Sequence, residues 1–388
     1  MILRELKKED LLALRKLWSI CYQYSMNVEE TQREIDASTE AVIGNGAFTE
    51  KGELMSGMLS NRLMMNFDGA FVSLSGIGGV VTHPAYRYGG SVRAVIAQLL
   101  TRERAHGCIF SGLYPFNHAF YRKFGFELAM SQKTYTLPIS LLKPYAGEMT
   151  ARLLQPEDDR AFLKPIFEAF IARYNLAIAC DEKKLAAWTR SEPYARNEYT
   201  YVLYEADEPV ACLHFEKVVR NDEGVLSVKN LAFSTELGFR RLLGFLYRFN
   251  AEMETLEIKL PDDIPLPALV DTPYDVECSV ENPYMLRALN TEAVLKAMRR
   301  GDFGRFVMEV TDDFLPENAG CWLVEPGRAE PTSLAPDLRM SVQAFSQLIC
   351  GYTDLASARF RHDVEILTNN PAPARAFPKK ALYVGYSY

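Results

Sequence analysis

Between Gly79 and Leu100 the chain reads GVVTHPAYRYGGSVRAVIAQLL, a β-branched run that breaks at His83-Pro84 and resumes as a helix. A strand that passes into a helix through a pair of glycines commits this part of the chain to a layered α/β arrangement, sheet below and helix above. The joint also carries chemistry. The first N–H groups of a helix have no intrahelical acceptor, and the helix dipole adds partial positive charge there. Arg87 adds a full charge, while Gly89 and Gly90 let backbone approach an anion without side-chain interference. By themselves the glycines fit a plain strand–helix corner equally well, because an isolated glycine-rich turn is a weak signal. Two nucleotide motifs are excluded by what is missing. A P-loop needs Lys then Ser or Thr after the last glycine, where this chain has Ser91-Val92. A dinucleotide fingerprint needs a third glycine after Gly76-x-Gly78, and Val81 stands there.

A length of 388 residues predicts two or three domains. The first 140 or so read as mixed α/β. Leu3 to Trp18 has helical spacing, with Asp10 as an N-cap for the helix after it. AVIGNGAF, LMSGMLSNRLMMNF and FVSLSGIGGVVT read as strands separated by turns, then come a helix over Gly90–His106, the strand CIFSGLY, the short helix NHAFYRKFG and the strand FELAMSQKTYTLPI. A faint repeat follows: Arg4, Glu9 and Asp10 recur as Arg152, Glu157 and Asp158, each set ahead of an amphipathic helix. The second copy has the hairpin YTYVLYEADEPVACLHFEKVV, the strand GVLSVKNLAF and the helix TELGFRRLLGFLYRFNAEM, but no Pro-x-x-Arg-x-x-Gly at its strand–helix joint. The proline-rich, acidic stretch Leu256–Asn282 reads as an irregular connection, and a third unit starts there. In it MLRALNTEAVLKAM reads as a helix, GRFVMEVTDDFLPENAGCWLVE as a strand, and DLRMSVQAFSQLICGYTDLASA as strand then helix. The terminal KALYVGYSY is apolar enough to pack.

A net charge of −7 argues against duplex nucleic acid, which wants a basic face, and suits a cationic substrate. The seven cysteines are widely spaced and odd in number, which fits reduced, mostly buried thiols and neither a disulfide framework nor a zinc site. His83, His106, His118, His214 and His362 show no metal spacing, so no metal is expected. His83 reads as a turn histidine, and Trp18, Trp188 and Trp322 as packing residues. No apolar run approaches the roughly 20 residues of a membrane span, and the charged N-terminus lacks a signal-peptide core. A cytoplasmic protein without membrane partners is the expectation.

The run Val81-Thr82-His83-Pro84-Ala85-Tyr86-Arg87-Tyr88-Gly89-Gly90 resembles the V-x-x-P-x-x-R-x-x-G acetyl-coenzyme A signature of the GNAT N-acetyltransferases, with Val92 where the usual final small residue stands. YPFNHAFYRKFGFE resembles a segment of the enhanced-intracellular-survival (Eis) branch of that family. The likeness extends over nearly the whole chain, including the motif-less second copy and a third part similar to a sterol-carrier domain. The resemblance implies a mixed α/β chain with tandem GNAT folds over residues 1–145 and 146–282, and a sterol-carrier-like domain over 283–388 ending in an active-site tail. It implies a homo-oligomer, a hexamer, that acetylates a primary amine of a small polyamine or aminoglycoside-like molecule by direct attack.

Carried over residue by residue, Val80, Val81 and Thr82 would offer strand backbone to the pantetheine arm of acetyl-coenzyme A, with the oxyanion held near Val81. Arg87 and the amides of Tyr88, Gly89, Gly90, Ser91, Val92 and Arg93 would hold its pyrophosphate. Phe116 and Asn117 would add coenzyme contacts, and Tyr121 would protonate the departing thiolate. An acid is needed because a thiol of pKa about 8.5 leaves poorly as a bare anion. The base would be the C-terminal carboxylate of Tyr388, although the tail VGYSY has none of the acidic residues that family members often carry there. The alternative is a non-catalytic protein that senses acetyl-coenzyme A in its first domain and holds an apolar ligand in its third.

Overall fold

The computed structural model describes residues 1–385 apart from Asn221 and Arg300. The chain forms two compact units: Met1–Ala129 with Tyr284–Lys379, and Met130–Pro283 with the stretch that begins at Lys380.

The first unit opens on β1 (Ile2–Glu5), antiparallel to β2 (Gly44–Phe48). The helical spacing read from Leu3 therefore starts too early: Leu3 to Glu5 are strand, and α1 occupies Leu11–Tyr22 with Asp10 at its N-cap position. Asp10 does not cap the helix. Its carboxylate takes the Lys7 N–H at 2.7 Å and the Arg4 guanidinium at 2.6 Å, tying β1 to the turn before α1. The unit continues through α2 (Val28–Ala37), β3 (Leu54–Phe67), β4 (Ala70–Thr82), α3 (Ser91–Ala105), β5 (Phe110–Leu113) and α4 (His118–Arg122). The sheet order is β1-β2-β3-β4-β5, antiparallel except for the parallel pair β4–β5. Helix α3 buries Val95, Ile96, Leu99 and Leu100, an i, i+1, i+4, i+5 stripe that packs on this sheet.

The second unit contains most of β6 (Glu127–Pro138), then β7 (Thr150–Leu153), α5 (Lys164–Ala172), α6 (Glu182–Trp188), β8 (Glu198–Glu205), β9 (Glu208–Arg220), β10 (Glu223–Phe233), α7 (Glu236–Tyr247) and β11 (Thr255–Leu260). Its sheet runs β6-β11-β10-β9-β8-β7. The internal repeat is physical. Arg152 pairs with Asp158 at 3.7 Å and Asp158 accepts the Gln155 N–H at 2.9 Å, as Arg4, Asp10 and Lys7 do in the first copy. The stretch from Leu256 is not an irregular connection throughout. Thr255–Ile258 pair in parallel with β10, and the alternation along β11, Leu256, Ile258 and Leu260 buried, is the period of a half-buried strand that the flanking prolines obscured.

The chain re-enters the first unit along β12 (Glu277–Ala288), whose residues Met285–Ala288 pair antiparallel with β5. The helix expected over Met285–Met298 is therefore shorter. Met285–Ala288 are strand, buried on both faces, and α8 (Thr291–Ala297) starts only after Asn290 caps it by accepting the Ala293 N–H. The single strand expected at Gly304–Glu325 is two, β13 (Phe306–Thr311) and β14 (Gly320–Glu325), antiparallel and joined by a tight connection. With β15 (Arg328–Pro331), β16 (Leu338–Ser341) and β17 (Val364–Ile366) they form a sheet ordered β15-β14-β13-β16-β17, covered by the buried helix α9 (Val342–Cys350).

The tail packs in the second unit as far as it is described. Leu382 bridges Asn175, the Ile178 N–H donates to Val384 O at 3.2 Å, and the Tyr383 ring lies 5.4 Å from Phe170 and 5.6 Å from Tyr174. Tyr388 lies outside the described residues. All seven cysteines are free; Cys108, Cys212 and Cys350 are buried, but Cys278 is exposed, against the expectation of general burial.

Candidate active site

Strands β4 and β5 pair from Leu74–Phe110 to Ile77–Leu113 and then part, β5 ending while β4 runs on to Thr82. A parallel pair that separates leaves one edge of β4 without a strand partner. Gly79 makes the bend possible. It adopts φ +62°, in the left-handed region, and a Cβ there would stand 2.2 Å from Cζ2 of Trp18. The Trp18 indole N–H donates to the Gly79 carbonyl at 2.7 Å, and the Tyr22 hydroxyl donates to the Val80 carbonyl at 3.0 Å. Because the His83 N–H points to Met55 O on β3, strand alternation turns the backbone of Thr82 to the opposite edge; Tyr22 marks Val80 as facing that way too. Val81 is buried by side chain among Leu6, Leu14, Leu17 and Phe48.

Beyond Thr82 a short 3₁₀ turn over Pro84–Tyr86 is closed by His83, whose Nδ1 accepts the Ala85 N–H at 3.2 Å. His83 is thus a turn residue, as expected. Tyr88 adopts φ +66° and Gly90 φ +77°, so the chain enters α3 by a left-handed step. Gly90 is the N-cap and no side chain caps the helix. Its first-turn amides therefore point out of the helix beside the exposed Arg87. Ser91 contributes backbone only: its hydroxyl is buried and bonded to Ser56 at 2.7 Å, and Ser56 in turn bonds Thr82 at 2.9 Å. That chain pins the helix start to the end of β4. Val92 packs partly into the core.

The second copy repeats the parting but closes the anion site. β10 and β11 separate after Val228–Ile258 while β10 runs on to Phe233. Helix α7, however, is capped by the Thr235 hydroxyl, which accepts the Gly238 N–H at 3.0 Å. Phe233, at the end of β10, is crowded by Phe170 at 5.1 Å and Phe239 at 5.0 Å, with the Arg173 guanidinium 5.1 Å away.

Helix α4 follows β5 and brings Tyr121 to the same unit. Asn117 caps it, its Oδ1 accepting the Phe120 N–H at 3.0 Å, and Phe116 is exposed beside it. The Tyr121 ring is 3% exposed, within 5.5 Å of Phe116 and 5.0 Å of Phe120. Burial raises its phenol far above the ordinary value, and the nearby Tyr22 adds to the shift. Tyr22 itself is pushed up to about 12, by burial first and then by Cys21 and Tyr24. Both phenols hold their protons at neutral pH. A phenol so weakly acidic is suited to donating a hydrogen bond to a developing thiolate, with full proton loss unfavourable.

Trp18 and Tyr22 carry no motif in the sequence, yet α1 crosses the bend in β4 and both side chains reach its carbonyls. Between α1 and α2 a hollow of about 250 Å³ is lined by Arg15, Tyr24, Asn27, Glu30 and Glu34. No cluster of metal-ligating residues occurs among the described residues, and no helix among them is long and apolar enough to cross a membrane.

Residues 3–129 and 182–288 each match an acetyltransferase (GNAT) domain family, and residues 291–384 match a sterol carrier protein domain family. No curated protein matches the chain. Among solved structures it is similar to Eis1 from Mycobacterium abscessus, at 20% identity and a TM-score of 0.84 over 100% of both chains. It is similar also to a GCN5-related N-acetyltransferase from Anabaena variabilis, at 17% and 0.85 over 100% of both chains. A third is a probable N-acyltransferase from Enterococcus faecalis, at 17% and 0.86 over 100% of this chain and 99% of that one.

Proposed function

We propose that this chain, with its two GNAT acetyltransferase domain matches and its three-part Eis-like fold, moves an acetyl group from acetyl-coenzyme A onto a primary amine of a small polyamine or aminoglycoside-like molecule. The observation that carries this reading is the open, uncapped start of α3 beside Arg87, set against the capped start of α7 in the second copy. An uncapped helix end with a neighbouring guanidinium is a ready anion site, and its pairing with a parted strand edge fits a pyrophosphate joined to an extended amide-bearing arm.

Acetyl-coenzyme A is the co-substrate and supplies the thioester. The amides from Tyr88 to Arg93, with Arg87, take the pyrophosphate. The edge of β4 turned away from β3, at Val80 and Thr82, meets the pantetheine arm and offers N–H groups to the carbonyl oxygen as charge develops on it, whereas alternation turns the Val81 backbone toward β3. Phe116 and Asn117 flank the arm. Tyr121 keeps its proton and hydrogen-bonds the departing sulfur. The base is the C-terminal carboxylate of Tyr388, which takes the proton the attacking amine must lose. The net charge of −7 suits a cationic acceptor. With this reading go a cytoplasmic setting and a homo-oligomer, a hexamer by the resemblance. The alternative of a non-catalytic binder gives way to the acetyltransferase domain matches.

The test is thiol release from acetyl-coenzyme A with polyamines, aminoglycosides and lysine peptides as acceptors. Release that depends on a polyamine or aminoglycoside supports the proposal. No release with any amine, or equal release without one, refutes it.

A further inference from the structure

The connection between β13 and β14 reaches Arg93 of α3 and Phe124 just after α4, and Asp312 anchors it. Asp312 is buried, its Oδ1 accepting the N–H groups of Phe314 and Leu315 at 3.0 Å each, and its Oδ2 accepting Asn318 Nδ2 at 3.1 Å. The same Oδ2 accepts from Arg287 of β12, a guanidinium with no exposure that also donates to the carbonyl of Phe124. The crossing is tight: a Cβ on Gly125 would stand 1.7 Å from Arg287 Nη1. Two of the guanidinium nitrogens are bonded in this way while Nε has no partner among the described residues, and such a buried ion pair costs desolvation and returns a fixed geometry. What it fixes is Phe314.

The Phe314 ring lies edge-on to Phe124 with centroids 5.1 Å apart, and the guanidinium of Arg93 sits 4.9 Å from its centroid. Phe124 closes α4: its N–H donates to Tyr121 O at 2.9 Å, and its ring continues through Phe120, at 5.1 Å, to Tyr121, at 5.0 Å from Phe120. Arg93 belongs to the first turn of α3, whose amides face outward. One side chain of the sterol-carrier part thus touches the helix that starts at the anion site and the helix that carries the phenol.

We propose that Phe314 is a positioning residue for acetyl transfer, holding Arg93 at the head of α3 and Phe124 beneath the Tyr121 helix at once, so that the third domain sets both coenzyme affinity and the hydrogen bond from Tyr121 to the departing sulfur. This rests on the acetyl-coenzyme A reading of the site. It gives the sterol-carrier domain a role in the reaction that needs no ligand of its own. Arg93, whose cation lies near the ring but outside any salt bridge described above, adds its charge to the anion site only when the ring keeps it there. Tyr121 meets the sulfur only when α4 is seated.

Phe314→Leu keeps an apolar contact for Phe124 and removes the aromatic face. It is expected to weaken acetyl-coenzyme A binding, measured by calorimetry on the full chain, about three- to fivefold, with kcat unchanged. Phe314→Ala also empties the space beside Phe124 and is expected to lower kcat as well. Arg93→Met should weaken binding by a similar factor, and Phe314→Leu combined with Arg93→Met should be no weaker than either alone. A merely structural Phe314 would lower the melting temperature and leave affinity and kcat per folded enzyme untouched, which overturns the proposal. Additive losses in the double variant overturn it too. If the wild type fails to bind acetyl-coenzyme A, the reading of the site falls instead, and the two failures are told apart by that control.

Discussion

Gly79→Ala tests the bend on which the site depends. The substitution meets two obstacles. At φ +62° an L-residue with a Cβ is disfavoured by about 1–2 kcal/mol. The Cβ would also stand 2.2 Å from Cζ2 and 2.6 Å from Cε2 of Trp18. These are atoms of a rigid ring, not the far end of a flexible chain, so Trp18 must move and its 2.7 Å bond to the Gly79 carbonyl is lost, a further ~1 kcal/mol. The sum is about 2–3 kcal/mol, which corresponds to about 5–10 °C in melting temperature for a unit of this size. Thermal unfolding by circular dichroism reads the stability, and acetyl-coenzyme A titration reads the site. Trp18→Leu should by itself be destabilising, yet the Gly79→Ala penalty should be smaller in that background because the ring is gone and only the dihedral term remains. A melting temperature within about 2 °C of the wild type, or the same penalty with and without Trp18, would refute the reasoning.

Thr235→Ala removes the cap of α7 and should cost about 1 kcal/mol of stability while coenzyme binding stays unchanged, since the proposed coenzyme site lies at α3 in the first copy; a loss of binding on titration contradicts this. Tyr121→Phe should lower kcat by about a hundredfold with little change in coenzyme affinity, and an unchanged rate removes the phenol from the reaction. Deleting the last few residues should abolish transfer and leave coenzyme binding measurable, so full activity in that truncation rules out the Tyr388 carboxylate. Glu103 has no side-chain exposure and lies 2.8 Å from Arg62 and 3.1 Å from Arg102. Burial pushes its carboxyl up, but the two guanidiniums outweigh it and hold the pKa below the ordinary value. A carboxyl depressed by folding contributes stability above its unfolded pKa of about 4.3 and loses it as pH falls through the folded value. Denaturant unfolding against pH should therefore steepen downward below about pH 4.5 in the wild type and less so in Glu103→Gln.

Local chemistry made much of this protein legible. The glycine pair after a β-branched run, Arg87 before it and the amphipathic Ser91–Ala105 after it announce a strand–anion site–helix unit, because each part is set by dihedral preference and helix-end electrostatics within a few residues. The Arg4/Asp10 and Arg152/Asp158 repeat is equally local: a turn bond and an ion pair six residues apart. Where the reading went astray, contacts distant in sequence decided. Met285–Ala288 carry a helix-compatible pattern, yet β5 offers a strand edge and pairing with it wins. Thr255–Leu260 is a strand because β10 lies beside it.

The sequence by itself determined that one of two related units keeps an uncapped helix start and that the other does not, since capping depends on the residue at the joint: Gly90 in one, Thr235 in the other. Only the tertiary structure decided what surrounds that opening. Trp18 and Tyr22 reach β4 across 61 and 58 residues of chain. Phe314 touches Arg93 and Phe124 because Asp312 and Arg287 bury their charges against each other. No period or motif encodes such meetings. They follow from which surfaces the folded sheets bring together.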